Sequence, residues 1–194
     1  MTKAGDWRRR RWEATHQRIY DAALRLFQEH GFDRVSVGQI AAGAEVSVPT
    51  FYAHYPSKEH VIMQLPTRED MAAIAAALPE GVPLGERLTA AVPLFFAPWT
   101  SNPDFRDLLL TRWRIIAADP ALRMRAAEFE RTTGEYLAAA LRSESGEPLG
   151  PAEVVVVNAY MAAYTAGLLA WADSDGDRDV QELVHEAFAA LGGL

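Results

Sequence analysis

Hydrophobic positions recur along this chain with a period near 3.6 residues. Ile19, Ala22, Ala23, Leu26 and Phe27 stand at i, i+3, i+4, i+7 and i+8, which predicts the apolar stripe of a first helix. His30-Gly31 ends it, glycine supplying the left-handed residue that follows a helix C-terminus. Ser36 and Gln39 form Ser-x-x-Gln, the start of a second, short helix that carries Val37, Ile40 and Ala41. Gly43 and Val46 close a tight turn, and Ser47 is placed to cap a third helix. Pro49 falls in that helix's first turn, where no intrahelical amide bond is lost. Ser57 is placed to cap a fourth helix.

Beyond Lys58 the same period continues. Pro66 interrupts or restarts a helix near Leu65, and a helix over 85–96 is expected to bend or break at Pro93. Asn102-Pro103 and Asp119-Pro120 each read as an N-cap followed by a first-turn proline, starting helices that run roughly to Ala118 and Arg142. Residues 143–151 are loop, and a last helix carries Val180, Leu183, Val184, Ala187, Phe188 and Leu191. No strand alternation and no internal repeat is found, so the expected fold class is all-α. Residues 154–172 hold no formal charge and approach the length of a membrane span. They also contain Asn158, Tyr160, Tyr164 and Thr165 and lack flanking Lys or Arg anchors. The segment reads as a soluble helix buried on most of its circumference, with no membrane partner.

With 49% hydrophobic and 23% charged residues over 194 positions, the chain is expected to fold rather than remain disordered. It has no cysteine, which excludes disulfides, thiolate metal sites and cysteine nucleophiles and is compatible with a reducing cytoplasm. No secretory signal is evident, because the arginine run at 8–11 is not followed by an apolar region. The net charge of −7 argues against a nucleic-acid partner until the chain is divided. Residues 1–60 hold nine basic and seven acidic side chains, net +2, and the remainder holds ten and nineteen, net −9. Sign asymmetry of this kind is the informative quantity. Arg8, Arg9, Arg10 and Arg11 are the densest basic run, open both to a solvated terminus and to a polyanion footprint.

Three helices near the N-terminus, the last two joined by a tight turn, describe a helix-turn-helix unit. In such a unit a short recognition helix meets the major groove with its N-terminal residues. Val48, Pro49 and Thr50 are small enough for that approach, and a threonine hydroxyl suits a base or a phosphate. Tyr52 and Tyr55 offer hydroxyls from the helix flank, and Lys58 adds a charge one turn on. Gly31-Phe32, the run from Ser36 to Ala41, Val46-Ser47, Thr50-Phe51-Tyr52, His54-Tyr55 and Ser57-Lys58-Glu59 together resemble the TetR family of transcriptional regulators, over Ile19 to Ile62. The resemblance implies that Tyr52 and Lys58 contact DNA phosphates. It also implies that Gln39, Val48, Pro49 and Thr50 face bases or backbone, with Ser36 and Ser47 on the same surface. For His54 and Tyr55 a phosphate contact and a packing role both stay open, while Ile40 and Phe51 belong to the small core.

The resemblance further implies a domain boundary after residue 60, with residues 61–194 forming a helical ligand-binding and dimerisation domain. A two-fold homodimer would form through the helices around 152–173 and 178–191, the first of which offers Ala159, Ala162, Ala163, Ala166 and Gly167 for close approach. Phe95, Phe96, Trp99, Trp113, Phe129, Met161 and Tyr164 are candidate ligand contacts, suiting a mainly apolar or aromatic small molecule. Asn158 and Thr165 are polar groups on a buried helix that need partners. Arg112 and Arg114 flank Trp113 and suit either an acidic ligand or surface ion pairs. The five histidines form no metal-ligand spacing, and the acidic turn at 173–179 has Arg178 where a calcium loop needs glycine. No cofactor and no catalytic constellation is indicated. The expected function is a ligand-released repressor on a palindromic operator. An activator of the same fold, or a helical ligand-binding protein without specific DNA binding, remain alternatives.

Overall fold

The apolar stripe that starts at Ile19 is the second half of a single long helix, α1 (Lys3–His30), which begins sixteen residues before the predicted stripe and takes in the whole arginine run. The computed structural model describes residues 3–63, 66–100, 103–143 and 146–192. The chain divides into two units, Met1–Gln64 and Leu65–Leu194. In the first, α1 is followed by α2 (Val37–Gly43), α3 (Val48–His54) and α4 (Lys58–Met63). Gly31 takes φ +80° and its amide bonds the Phe27 carbonyl, so the predicted stop signal operates as such. Ile19, Ala23, Phe27, Ile40, Phe51, Val61 and Ile62 are buried and form the unit's core.

The second unit holds α5 (Arg68–Ala77), α6 (Leu84–Thr100), α7 (Pro103–Ala118), α8 (Pro120–Ala140), α9 (Pro151–Asp173) and α10 (Val180–Ala189). Asp119 caps α8 by accepting from the amides of Ala121 and Leu122, and Asp179 caps α10 by accepting from Gln181 and Glu182. Asn102 lies outside the described residues. Three places add local detail. Helix α6 runs unbroken through Pro93, so the break does not occur. Helix α8 stops at Ala140, and Arg142 instead forms an isolated β-bridge with Pro148. The Ser57 hydroxyl pairs with His60 Nδ1 at 2.9 Å.

Helix α9 is the spine of this unit, packing against α6, α7, α8 and α10. It is long and apolar enough to cross a membrane, yet Val157, Tyr160, Met161, Leu168 and Trp171 on it are buried by neighbouring helices. In the single chain only 39% of its most apolar stretch is covered, less than expected, because one face turns away from all four neighbours. That face exposes Val155, Ala162, Ala166 and Ala170. Two helical glycines set close approaches between α9 and its neighbours α8 and α10. A Cβ on Gly167 would meet Val184 Cγ2 at 2.6 Å and the Val184 Cα at 2.9 Å, while one on Gly134 would meet only the Asn158 Oδ1 at 2.6 Å and looser atoms. Backbone cannot yield as a side-chain amide can. Gly167→Ala is therefore expected to destabilise the protein by about 1–3 kcal/mol through overpacking, and Gly134→Ala by less. Urea denaturation of both variants checks the ranking, and equal losses would contradict it.

Candidate nucleic-acid interface

Each short helix of the first unit is fixed at its start by its own sequence. The Ser36 hydroxyl accepts from the Gln39 amide at 3.3 Å while Gln39 Oε1 accepts from the Ser36 amide at 2.8 Å, a closed reciprocal box. The Ser47 hydroxyl accepts from the Thr50 amide at 3.1 Å and shares a 2.7 Å hydrogen bond with the Thr50 hydroxyl. Between α2 and α3 the turn is closed by Val46 N–H to Ala41 O at 2.9 Å, with Glu45 in the left-handed region at φ 55°.

On this frame Ser36, Gln39, Ser47, Val48, Pro49 and Tyr52 are exposed and Thr50 is half-buried. Val48 and Tyr52, at 40% and 54% exposure, are large side chains that a folding core alone would have withdrawn. An open cleft of about 440 Å³ lies alongside, lined in part by Arg34, Ser36, Tyr52, Ser57 and Lys58. Neither α2 nor α3 contains a lysine or arginine.

Three further candidate residues have partners within the unit. Tyr55 is 4% exposed; its ring stacks on His16 with centroids 4.1 Å apart and its hydroxyl donates to the His16 carbonyl at 3.4 Å. It is a packing residue, drawn inward because it terminates α3 against α1. His54 stacks on Trp12 at 4.8 Å and lies 5.7 Å from His16, so its ring is engaged with α1 rather than presented outward. Lys58 donates to the carbonyls of Phe32 at 2.8 Å and Val35 at 3.2 Å and lies over the Phe32 ring at 4.2 Å. Two of its three donors are thus committed to the connection between α1 and α2. Trp12 and His16 complete the joint between α1 and α3, and reading the first helix from Ile19 missed both. Their spacing from Ile19 and Ala23 continues the same stripe backward and could have revealed them.

The candidate effector residues lie in the second unit. Phe95 and Phe96 contact the Tyr164 ring at 5.2 and 5.6 Å. Burial pushes the Tyr164 hydroxyl above its usual range, opposed by the nearby charge of Arg112. Thr165 hydrogen-bonds Glu130, whose carboxyl is raised by burial and held back by that bond. Asn158 donates to the Val154 carbonyl at 2.8 Å and fills the space over Gly134, so its polar group serves helix packing. Phe96, Trp113 and Met161 are buried and Phe129 is half-buried. The side chain of Trp99 lies outside the described residues. Trp113 and Trp171 each bury an indole N–H that has no hydrogen-bond acceptor among the described residues.

Burial, and secondarily the proximity of His54, depresses the pKa of His16 below 6.5, and burial depresses that of His54. Both Nδ1 atoms are buried without a hydrogen-bond partner among the described residues. A depressed folded value means that the unfolded chain takes up protons first as the pH falls. The contribution to stability is therefore complete above 6.5 and is lost below it, toward the folded values. Thermal melts on either side of that pH should show a larger acid loss for the native chain than for His16→Gln/His54→Gln. Parallel profiles would contradict this.

Residues 19–65 match the family described as bacterial regulatory proteins, tetR family, and residues 82–193, more than half of the chain, match the MftR C-terminal domain. The HTH-type transcriptional repressor AcnR of Corynebacterium diphtheriae is 25% identical over 180 residues, covering 88% of this chain and 90% of AcnR. Among solved structures, a TetR-family regulator from Syntrophomonas wolfei superposes with a TM-score of 0.60 at 20% identity, covering 94% of this chain and 97% of that one. The regulator FadR of Bacillus subtilis, solved in complex with stearoyl-CoA, gives 0.55 at 20% identity, covering 92% and 98%. At that identity the structures speak for the fold.

Proposed function

Since this chain belongs to the TetR family of bacterial regulatory proteins, we propose that it is a ligand-responsive transcriptional repressor that binds a palindromic operator as a homodimer. The observation that carries the reading is the pairing of a capped, seven-residue α3 with an outer face of Val48, Pro49 and Tyr52 that the unit's own core leaves in water. Gln39, Ser47 and Thr50 adjoin that face and provide hydrogen-bonding groups for bases and phosphates. The repressor assignment is supported by AcnR, a repressor aligned along nearly its whole length.

Dimerisation through α9 and α10 accounts for the apolar face of α9, where Val155 is 68% exposed and three alanines follow at helical spacing. Two recognition helices joined in this way would address successive major grooves about 34 Å apart. The effector is a mainly apolar small molecule bound among α6 to α9, with Arg112, Glu130 and Thr165 as polar handles. The stearoyl-CoA held by FadR on a similar fold supports a ligand of that character. Binding would favour a dimer whose recognition helices no longer match the operator spacing, a shift of population between two forms.

An electrophoretic mobility shift on the DNA upstream of the chain's own coding region, with excess mixed-sequence competitor, tests the reading. The shift should survive the competitor. Tyr52→Ala should weaken binding about tenfold, equivalent to about 1.4 kcal/mol. Loss of the native shift to the competitor would contradict specific regulation.

A further inference from the structure

The helices that address DNA carry no lysine or arginine, and Lys58 has two donors tied within the fold. Affinity for a duplex nevertheless depends on cations that neutralise phosphates and release counterions. Of the nine basic residues in 1–60, four are Arg8, Arg9, Arg10 and Arg11; without them the segment's net charge would change from +2 to −2. The positive character of the first unit is therefore a property of the N-terminal part of α1.

That part is placed beside the recognition helix. Trp12 stacks on His54, the last residue of α3. Arg8 and Arg9 stand four and three residues before Trp12, so they share its face of α1, one turn away and about 6 Å along the axis at most. Arg10 and Arg11 point to other sides. Residues 7–14 are all exposed, with Trp7 at 58% and Trp12 at 49%. The interactions that hold Arg9 to Glu13 at 3.8 Å and Arg11 over Trp7 at 5.4 Å lie at the surface. Exposed ion pairs of this kind are worth about 0–1 kcal/mol and are readily exchanged for a phosphate. A seven-residue helix is about 10 Å long, comparable with the width of the major groove, about 12 Å. A side chain fixed beside its last turn therefore stands next to a groove wall, where the phosphates lie.

We propose that Arg8 and Arg9, on the Trp12 face of α1, bind the DNA backbone beside the last turn of the recognition helix. They supply the principal sequence-independent attraction of this protein for duplex DNA. This rests on the DNA-binding reading above. The test is the salt dependence of affinity of the full-length protein for its upstream DNA and for a short mixed-sequence duplex, read by fluorescence anisotropy.

For Arg8→Gln/Arg9→Gln the slope of log affinity against log salt should become shallower by about 0.9 for each phosphate that the variant no longer neutralises. Both duplexes should weaken by a similar factor. Arg8→Lys/Arg9→Lys should keep the native slope, and Arg10→Gln/Arg11→Gln should lose less. Native binding with an unchanged slope in Arg8→Gln/Arg9→Gln would overturn the inference alone. So would equal losses from the two glutamine pairs, or a lysine variant as weak as the glutamine one. Arginines that hold phosphatidylglycerol vesicles while leaving the duplex slope unchanged would replace DNA with a membrane surface. A native chain that binds neither duplex would overturn the inference together with the DNA-binding reading.

Discussion

Helices α2 and α3 are seven residues long, and isolated helices of fewer than about 12–15 residues are marginal in water. Their existence therefore depends on docking against α1. Ile40 and Phe51 are fully buried in the unit's core, and Tyr55 stacks on His16 of α1 from the end of α3. Stacking of Trp12, His16, His54 and Tyr55 extends the contact along α1 beyond the aliphatic core. Whatever the recognition helix presents outward is held by this inward face, and the polar caps at Ser36 and Ser47 fix where each short helix begins.

One consequence is a division of labour within a few residues. Phe51 and Tyr55 are buried, while Val48, Pro49 and Tyr52 face water. The charge that DNA binding needs is borne elsewhere, on the exposed N-terminal turns of α1. The strongly acidic remainder of the chain is repelled by a polyanion, so the sign asymmetry favours approach through the first unit. Lys58 contributes locally by joining the ends of α1 and α2 through two backbone carbonyls.

Local signals were legible in the sequence because they act over three or four residues. The box at Ser36, the N-cap at Ser47, the stop at Gly31 and the Asp119-Pro120 start are all found where their spacing placed them. Contacts between distant residues were not legible. Tyr55 and His16 are 39 positions apart, and nothing in either neighbourhood announces a stack or turns a tyrosine inward. The same holds for Lys58 and Phe32, 26 positions apart. The length of α1 was hidden for another reason: the stripe reaches back only to Trp12, among residues 7–14 that are all exposed. In the second unit the glycines at 134 and 167 gave no sign of which helices they admit, since close approach is a property of a pair.

The second unit shows why α9 is so poor in charge. It is enclosed by four helices on one side, which leaves no room for charge there, and the proposed dimer would cover the alanine-rich face on the other. In the proposed regulator the recognition surface lies on one unit and the self-association surface on the other. Hydroxyl-radical footprinting on the upstream DNA tests that combination most directly. Two protected patches on one face of the duplex, about 34 Å apart, are the expected result. Protection without sequence preference, or a single isolated patch, would contradict a dimeric, operator-specific regulator.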